Sequence, residues 1–203
     1  MSSLTEDLLL AAIDPGNGVM RCRGHLQYGL MGAELVELAG AGRIGRAADP
    51  IEVVQPVDLA TGDGDLDAVL GALARARRSV KVRRWVSRPR RKIVDGYLDR
   101  LIAAGAVRRA GGVLRPRWPV TDQGRGAAVR ARLDAAVLGA GPIDAAQADL
   151  PCLAAAIGLV DQLYRGRDNR AARQRLLEIT KTHWVAEPVR RAIAAAEAAS
   201  SAG

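Results

Sequence analysis

Residues 25–44 read HLQYGLMGAELVELAGAGRI, and this stretch decides the fold. Leu26, Leu30, Ala33 and Val36 recur at helical spacing, and Leu35 and Leu38 widen the stripe. Glu34 and Glu37 are its only acids, so most of the circumference is apolar. A helix of that kind sits inside a bundle with neighbours on several sides. Gly29 and Gly32 lower helix propensity, but they let another helix approach closely. Gly40 and Gly42 mark the stop, since glycine takes the left-handed conformation that closes a helix.

Upstream, Ser3-Leu4-Thr5-Glu6 has capping-box spacing, with Ser3 as N-cap and Glu6 reaching back. It opens a short apolar helix through Leu8, Leu9, Leu10 and Ile13. The cluster 14–18 reads as a turn, and Val19 to Arg23 as a short strand. Downstream, Ile44–Arg46 and Ile51–Gln55 predict a hairpin around Ala48-Asp49-Pro50. A helix follows from Leu66 to about Arg78, with Asp63 or Asp65 as N-cap. Val80 to Val86 reads as a basic helix carrying Trp85, interrupted at Pro89. Ile93, Val94, Tyr97, Leu98, Leu101 and Ile102 give the stripe of a helix over 91–104.

Ala106–Arg109 and Val113–Trp118 then predict a second hairpin across Ala110-Gly111-Gly112. Further helices are expected at 122–138, 150–164, 169–180 and 188–199. The expected fold is mainly α: a helical bundle around the central hydrophobic helix, with one or two small β-hairpins. A single domain over 1–199 is expected, with 200–203 a frayed tail.

The chain has 203 residues and a net charge of +8, unevenly spread. Between Arg75 and Arg117 stand fifteen basic residues and two acids, a local +13, leaving −5 for the remainder. A field this concentrated attracts polyanions, either nucleic acid or an anionic membrane. No apolar run reaches the roughly 18 residues of a membrane span. The start lacks the order of a signal peptide, so a cytoplasmic protein is expected. Cys22 and Cys152 read as ordinary thiols. Richness in Ala, Gly and Arg without Phe suggests a high-GC bacterial source.

The usual signatures of catalysis do not occur. Gly62-Asp63-Gly64 reads as a turn rather than a phosphate loop. His25 and His183, the two histidines, have no metal-like spacing to other ligands. Neither an enzyme, a metal site nor a cofactor is expected. The basic segment leaves two readings open. In the first, 91–118 is a winged helix, with Arg108, Arg109, Arg115 and Arg117 on DNA phosphates. In the second, the same charge meets an acidic bilayer, with Val113 and Leu114 at the hairpin tip and Trp85 or Trp118 at headgroup depth.

Four stretches decide between them. Leu4-Thr5-Glu6-Asp7-Leu8-Leu9-Leu10 comes first. Gly29-Leu30-Met31-Gly32-Ala33-Glu34-Leu35-Val36-Glu37-Leu38 then ends in Gly42-Arg43-Ile44. Thr61-Gly62-Asp63 follows, and last Leu98 to Val107 leads to a hairpin. In this order they resemble a bacterial member of the Golgi phosphoprotein 3 family. The resemblance implies a peripheral membrane adaptor that binds anionic phospholipid headgroups, phosphatidylinositol 4-phosphate in its eukaryotic relatives. It also implies protein clients, the cytosolic tails of glycosyltransferases, and homo-oligomers through the hairpin.

The family's headgroup pocket uses one tryptophan and three arginines. Here those positions are Cys22, Met31, Arg91 and Val94. The expected lipid-headgroup residues are therefore Arg91, Arg90, Arg88 and Arg23, and the expected membrane or dimer hairpin residues are Val113 and Leu114. DNA is the partner only in the winged-helix reading.

Overall fold

The computed structural model describes residues 3–46, 50–53, 60–76, 79–139, 141 and 143–201. The expected turn at Ala48-Asp49, the strand end at Gln55, the helix end at Arg77-Arg78 and the last two residues lie outside them.

The central stretch is α2 (Arg23–Gly40), preceded by α1 (Leu4–Ala12). Leu26, Leu30, Leu35 and Leu38 on α2 are fully buried, as the apolar stripe predicts. Cβ atoms built at its glycines would collide with their surroundings. At Gly29 the atom would lie 2.8 Å from Ile157 and 3.0 Å from Leu8. At Gly32 it would lie 2.8 Å from Val185, 2.9 Å from Val189 and 3.1 Å from Leu153. Gly42, at φ +67°, lets the backbone turn back, so that Arg43 N–H donates to the Leu38 carbonyl at 2.8 Å.

Seven short elements follow α2: β1 (Ile44–Arg46), β2 (Pro50–Val53), α3 (Gly64–Ala74), β3 (Val80–Lys81), α4 (Val82–Val86), α5 (Ile93–Ala103) and α6 (Gln123–Leu138). Four helices complete the chain: α7 (Ala145–Ala156), α8 (Leu159–Leu163), α9 (Arg170–Thr182) and α10 (Ala186–Ser201). α2 touches α1, α3, α4, α5, α7 and α10, so it is enclosed on most sides. The fold is mainly α, and its largest fully buried side chains are concentrated on α1 and α2.

Several elements differ from the sequence reading. Val19–Arg23 is no strand: Met20 makes a lone bridge to Ile13, and Arg23 already begins α2. The basic helix expected from Val80 starts two residues later, because Val80 and Lys81 pair antiparallel with Ile51 and Pro50 as the third strand of a small sheet. The helix expected over 150–164 is two helices, since Gly158 at φ +77° breaks it. The second hairpin keeps only the bridges Val107↔Val120 and Ala110↔Arg117, since Pro116 and Pro119 cannot donate to a ladder. α10 runs to Ser201, and the Ser200 and Ser201 hydroxyls donate to carbonyls one turn back.

Helix ends are satisfied largely as expected. Asp63 caps α3, accepting from the N–H of Asp65 and Leu66. Ser3 caps α1, but Glu6 does not reach back. Its carboxylate turns to Arg125 at 2.6 Å and Arg100 at 3.2 Å, a gain of charge-assisted bonds over a lone capping contact. Glu37 of α2 serves the vacated end, accepting from the Thr5 N–H at 3.1 Å and the Ser3 hydroxyl at 2.8 Å.

Candidate anion-binding site

Val82 and Val86, one turn apart, are buried and fix α4 against the core. That leaves Arg83 and Arg84 in solvent, with Trp85 half-buried next to them in the chain. Ser87 ends the helix by donating its hydroxyl to the Arg83 carbonyl at 2.7 Å. Pro89 cannot continue a helical ladder. The chain then crosses an irregular turn to Lys92, which takes a left-handed φ of 64° before α5 begins. Arg88 and Arg90 are carried on this turn.

The result is an open cavity of about 650 Å³ between α4, the end of α3, β3 and α2. Its polar wall is Arg84, Arg88, Arg90 and Ser79, with Trp85 beside them, and its floor is Met31 of the central helix. The Trp85 indole N–H is buried and has no hydrogen-bond partner among the described residues. A guanidinium matches the geometry of a phosphate or carboxylate through paired N–H donors. Three of them around one cavity suit a bound anion.

Behind this wall lies a buried charge. Glu34 of α2 is completely enclosed. One carboxylate oxygen accepts from the Arg90 guanidinium and, at 2.9 Å, from the Tyr97 hydroxyl. The other oxygen has no partner among the described residues. Burial pushes the Glu34 carboxyl up to about 7, against the opposing pull of Arg90 and of the Tyr97 bond. The Tyr97 hydroxyl is pushed upward as well, by burial and then by Glu34. Arg90 keeps 37% of its side chain exposed, so one guanidinium spans from the buried carboxylate to the open cavity.

The candidates from the sequence divide. Arg88 and Arg90 come together in the cavity; Arg91 is exposed beside it and Arg23 lies elsewhere. Arg23 stacks 5.1 Å from the Trp118 ring centre and lies 3.8 Å from Asp95. Trp118 is buried, so it cannot sit at headgroup depth. Of the four positions matched to the family pocket, Met31 alone lines the cavity. Cys22 is the left-handed residue that starts α2. Arg84 was not among the sequence candidates, and Trp85 was expected at headgroup depth rather than in the cavity. Their signal was the Val82/Val86 pair, which sets the face of α4 that packs inward.

Val113 and Leu114 are 90% and 96% exposed. The root of their loop is tied down. Trp118 N–H donates to the Gly18 carbonyl at 2.7 Å, and Arg117 reaches the Asn17 carbonyl at 3.2 Å.

The outer face of α5 has its arginine engaged within the protein. Arg100, on the outer face of α5, is held by Asp63 at 2.6 Å, Asp65 at 3.1 Å and Glu6 at 3.2 Å. Asp95 and Asp99 remain exposed on that helix. The two histidines are engaged as well. His183 Nδ1 accepts from the Val185 and Ala186 N–H groups and its Nε2 meets Asp149 at 2.9 Å, while His25 contacts Ile157 O and Glu197. No helix among the described residues is long and apolar enough to cross a membrane.

A family model described as Golgi phosphoprotein 3 (GPP34) matches residues 4–196. No curated protein matches the chain.

Proposed function

Because the chain belongs to the Golgi phosphoprotein 3 family, we propose that it is a peripheral membrane adaptor whose basic cavity holds an anionic phospholipid headgroup. By family resemblance, the headgroup of reference is phosphatidylinositol 4-phosphate. Its role is binding, without catalysis. The observation that carries this reading is the convergence of Arg84, Arg88 and Arg90 on one cavity. In a bacterium, the source suggested by composition, the acidic lipids of its own membrane replace those of the Golgi. Each Lys or Arg near an acidic surface contributes about 1 kcal/mol.

The test is flotation at about 0.15 M salt, where distant charges are already screened. Neutral, generic anionic and phosphatidylinositol 4-phosphate vesicles are compared, with duplex DNA as competitor. The wild type is expected on both acidic vesicles. Arg84→Glu/Arg88→Glu reverses two exposed charges and is expected to weaken binding at least thirtyfold, taking removal of two cations alone at about 1 kcal/mol each. Unchanged binding by this variant would refute the site. Retention on DNA with no flotation would favour the winged-helix reading.

The exposed tip gives the second contact. Val113→Asp/Leu114→Asp is expected to lower vesicle binding about tenfold or more, while leaving the melting temperature within a degree or two. Burying two aliphatic side chains in the interface is worth about 1.5–3 kcal/mol each at most. If the variant floats normally but no longer self-associates in sedimentation, the tip is a homo-oligomer contact instead.

A further inference from the structure

Arg90 joins the wall of the cavity to the core. Arg90 faces the open cavity, yet its guanidinium is bonded to a carboxylate 56 residues earlier that no solvent reaches. As long as Glu34 is ionised, the charge of Arg90 is matched from behind. We propose that Glu34 is a positioning residue that restrains Arg90 while ionised and yields it to an anionic ligand on taking up a proton. This rests on the headgroup reading above.

The geometry supports the exchange in three ways. First, Glu34 uses one oxygen for both of its bonds and leaves the other without a partner, so a proton there displaces no donor. Second, Tyr97 donates to the carboxyl group whether it is charged or neutral, so the acid keeps a hydrogen bond after Arg90 leaves. Third, the groups that act on it are the charge of Arg90 from the turn before α5, the hydrogen bond of Tyr97 from α5 and, at longer range, the charge of Asp65 from α3. Asp65 and a bound anion both disfavour the ionised acid, while Arg90 favours it. A ligand that draws Arg90 outward therefore raises the proton affinity of Glu34. By reciprocity, protonation raises the affinity for the ligand.

Phosphatidylglycerol vesicles provide the probe, because a phosphodiester headgroup keeps its charge throughout the range used. Wild-type protein is expected to bind about fivefold more tightly at pH 6 than at pH 8, the factor supplied by roughly one additional cation near an acidic surface. Glu34→Gln is expected to bind at pH 8 as the wild type does at pH 6, with a flat profile between. Equal wild-type binding at the two pH values overturns the proposal. So does a Glu34→Gln variant that keeps the wild-type slope or loses binding. A slope arising from any other group would survive in Glu34→Gln.

A second measurement needs no membrane. The Glu34 carboxyl carbon is titrated by NMR with and without sulfate. Its midpoint is expected to rise when sulfate occupies the cavity, and an unchanged midpoint overturns the exchange. Failure to float at any pH, with the sulfate shift present, would reject the membrane reading and leave the proton-linked anion site standing.

Discussion

Gly32→Leu is expected to destabilise the protein by at least about 3 kcal/mol. The expected fall in melting temperature is about 6–12 °C, at 2–4 °C per kcal/mol for a chain of this size. Even a Cβ at this position lies 2.8–3.1 Å from Val185, Val189 and Leu153. Two of these are β-branched and stiff at χ1, so they cannot rotate out of the way cheaply. Four added carbons must separate α2 from α7 and α10, and overpacking of this kind typically costs 1–3 kcal/mol and sometimes more. Gly24→Ala supplies the contrast on the same helix. Nothing lies within 4 Å of its Cβ position, and alanine there recovers up to about 1 kcal/mol of helix propensity. Thermal melts of the two variants check the argument. A wild-type melting temperature for Gly32→Leu would mean that α2 is not packed this closely.

The second large effect is a pH dependence of stability. The Glu34 carboxyl is raised from an ordinary 4.5 to about 7 in the folded protein. The sign follows from proton counting. Between these values the folded state holds a proton that the unfolded state has released, so stability falls as pH rises. The contribution is complete below about 4.5 and is lost as pH passes through about 7. At about 1.4 kcal/mol per unit, its loss is worth about 3 kcal/mol. Glu34→Gln removes the titration and keeps an acceptor for Tyr97. Its melting temperature is expected to match the wild type near pH 5 and to exceed it by several degrees at pH 8. Parallel curves across this range would show that Glu34 is not held as a neutral acid. Asp63 and Glu187, whose values are lowered, act in the opposite sense and below the ordinary carboxylate range, so the window above pH 5 belongs mainly to the raised acids.

The central helix was legible because burial imposes a period, and Leu26 to Leu38 display it without interruption. The first hairpin was legible as two strands, though Pro50, read as turn, belongs to the second, and its third strand was not legible: Val80-Lys81 pairs with Pro50-Ile51 across thirty residues, and two residues carry no period. The split at Gly158 was hidden because apolar residues on both sides keep the same buried character. For the site, the basic segment and Arg88 with Arg90 stood out as composition. Their division of labour did not. That Arg90 faces a buried acid while Arg88 stays exposed depends on Glu34 lying beneath the turn, a tertiary coincidence with no local signature. Arg84 was obscured by reading 80–86 as one basic helix. The resemblance placed the chain in its family but not its cavity, since the matched positions Cys22, Arg91 and Val94 do not line it.

The hairpin root described above has a mechanical meaning. A loop held at one point swivels, whereas one held at two points is a strut. The Trp118–Gly18 and Arg117–Asn17 bonds grip adjacent residues of the loop against adjacent residues of the 14–19 turn. Gly18 leaves no slack, since a Cβ there would lie 2.7 Å from the Pro119 nitrogen. On a bilayer, such a strut makes the insertion of its tip dictate the tilt of the whole body. The angle at which the protein stands would then be set in the 14–19 turn, away from the tip itself.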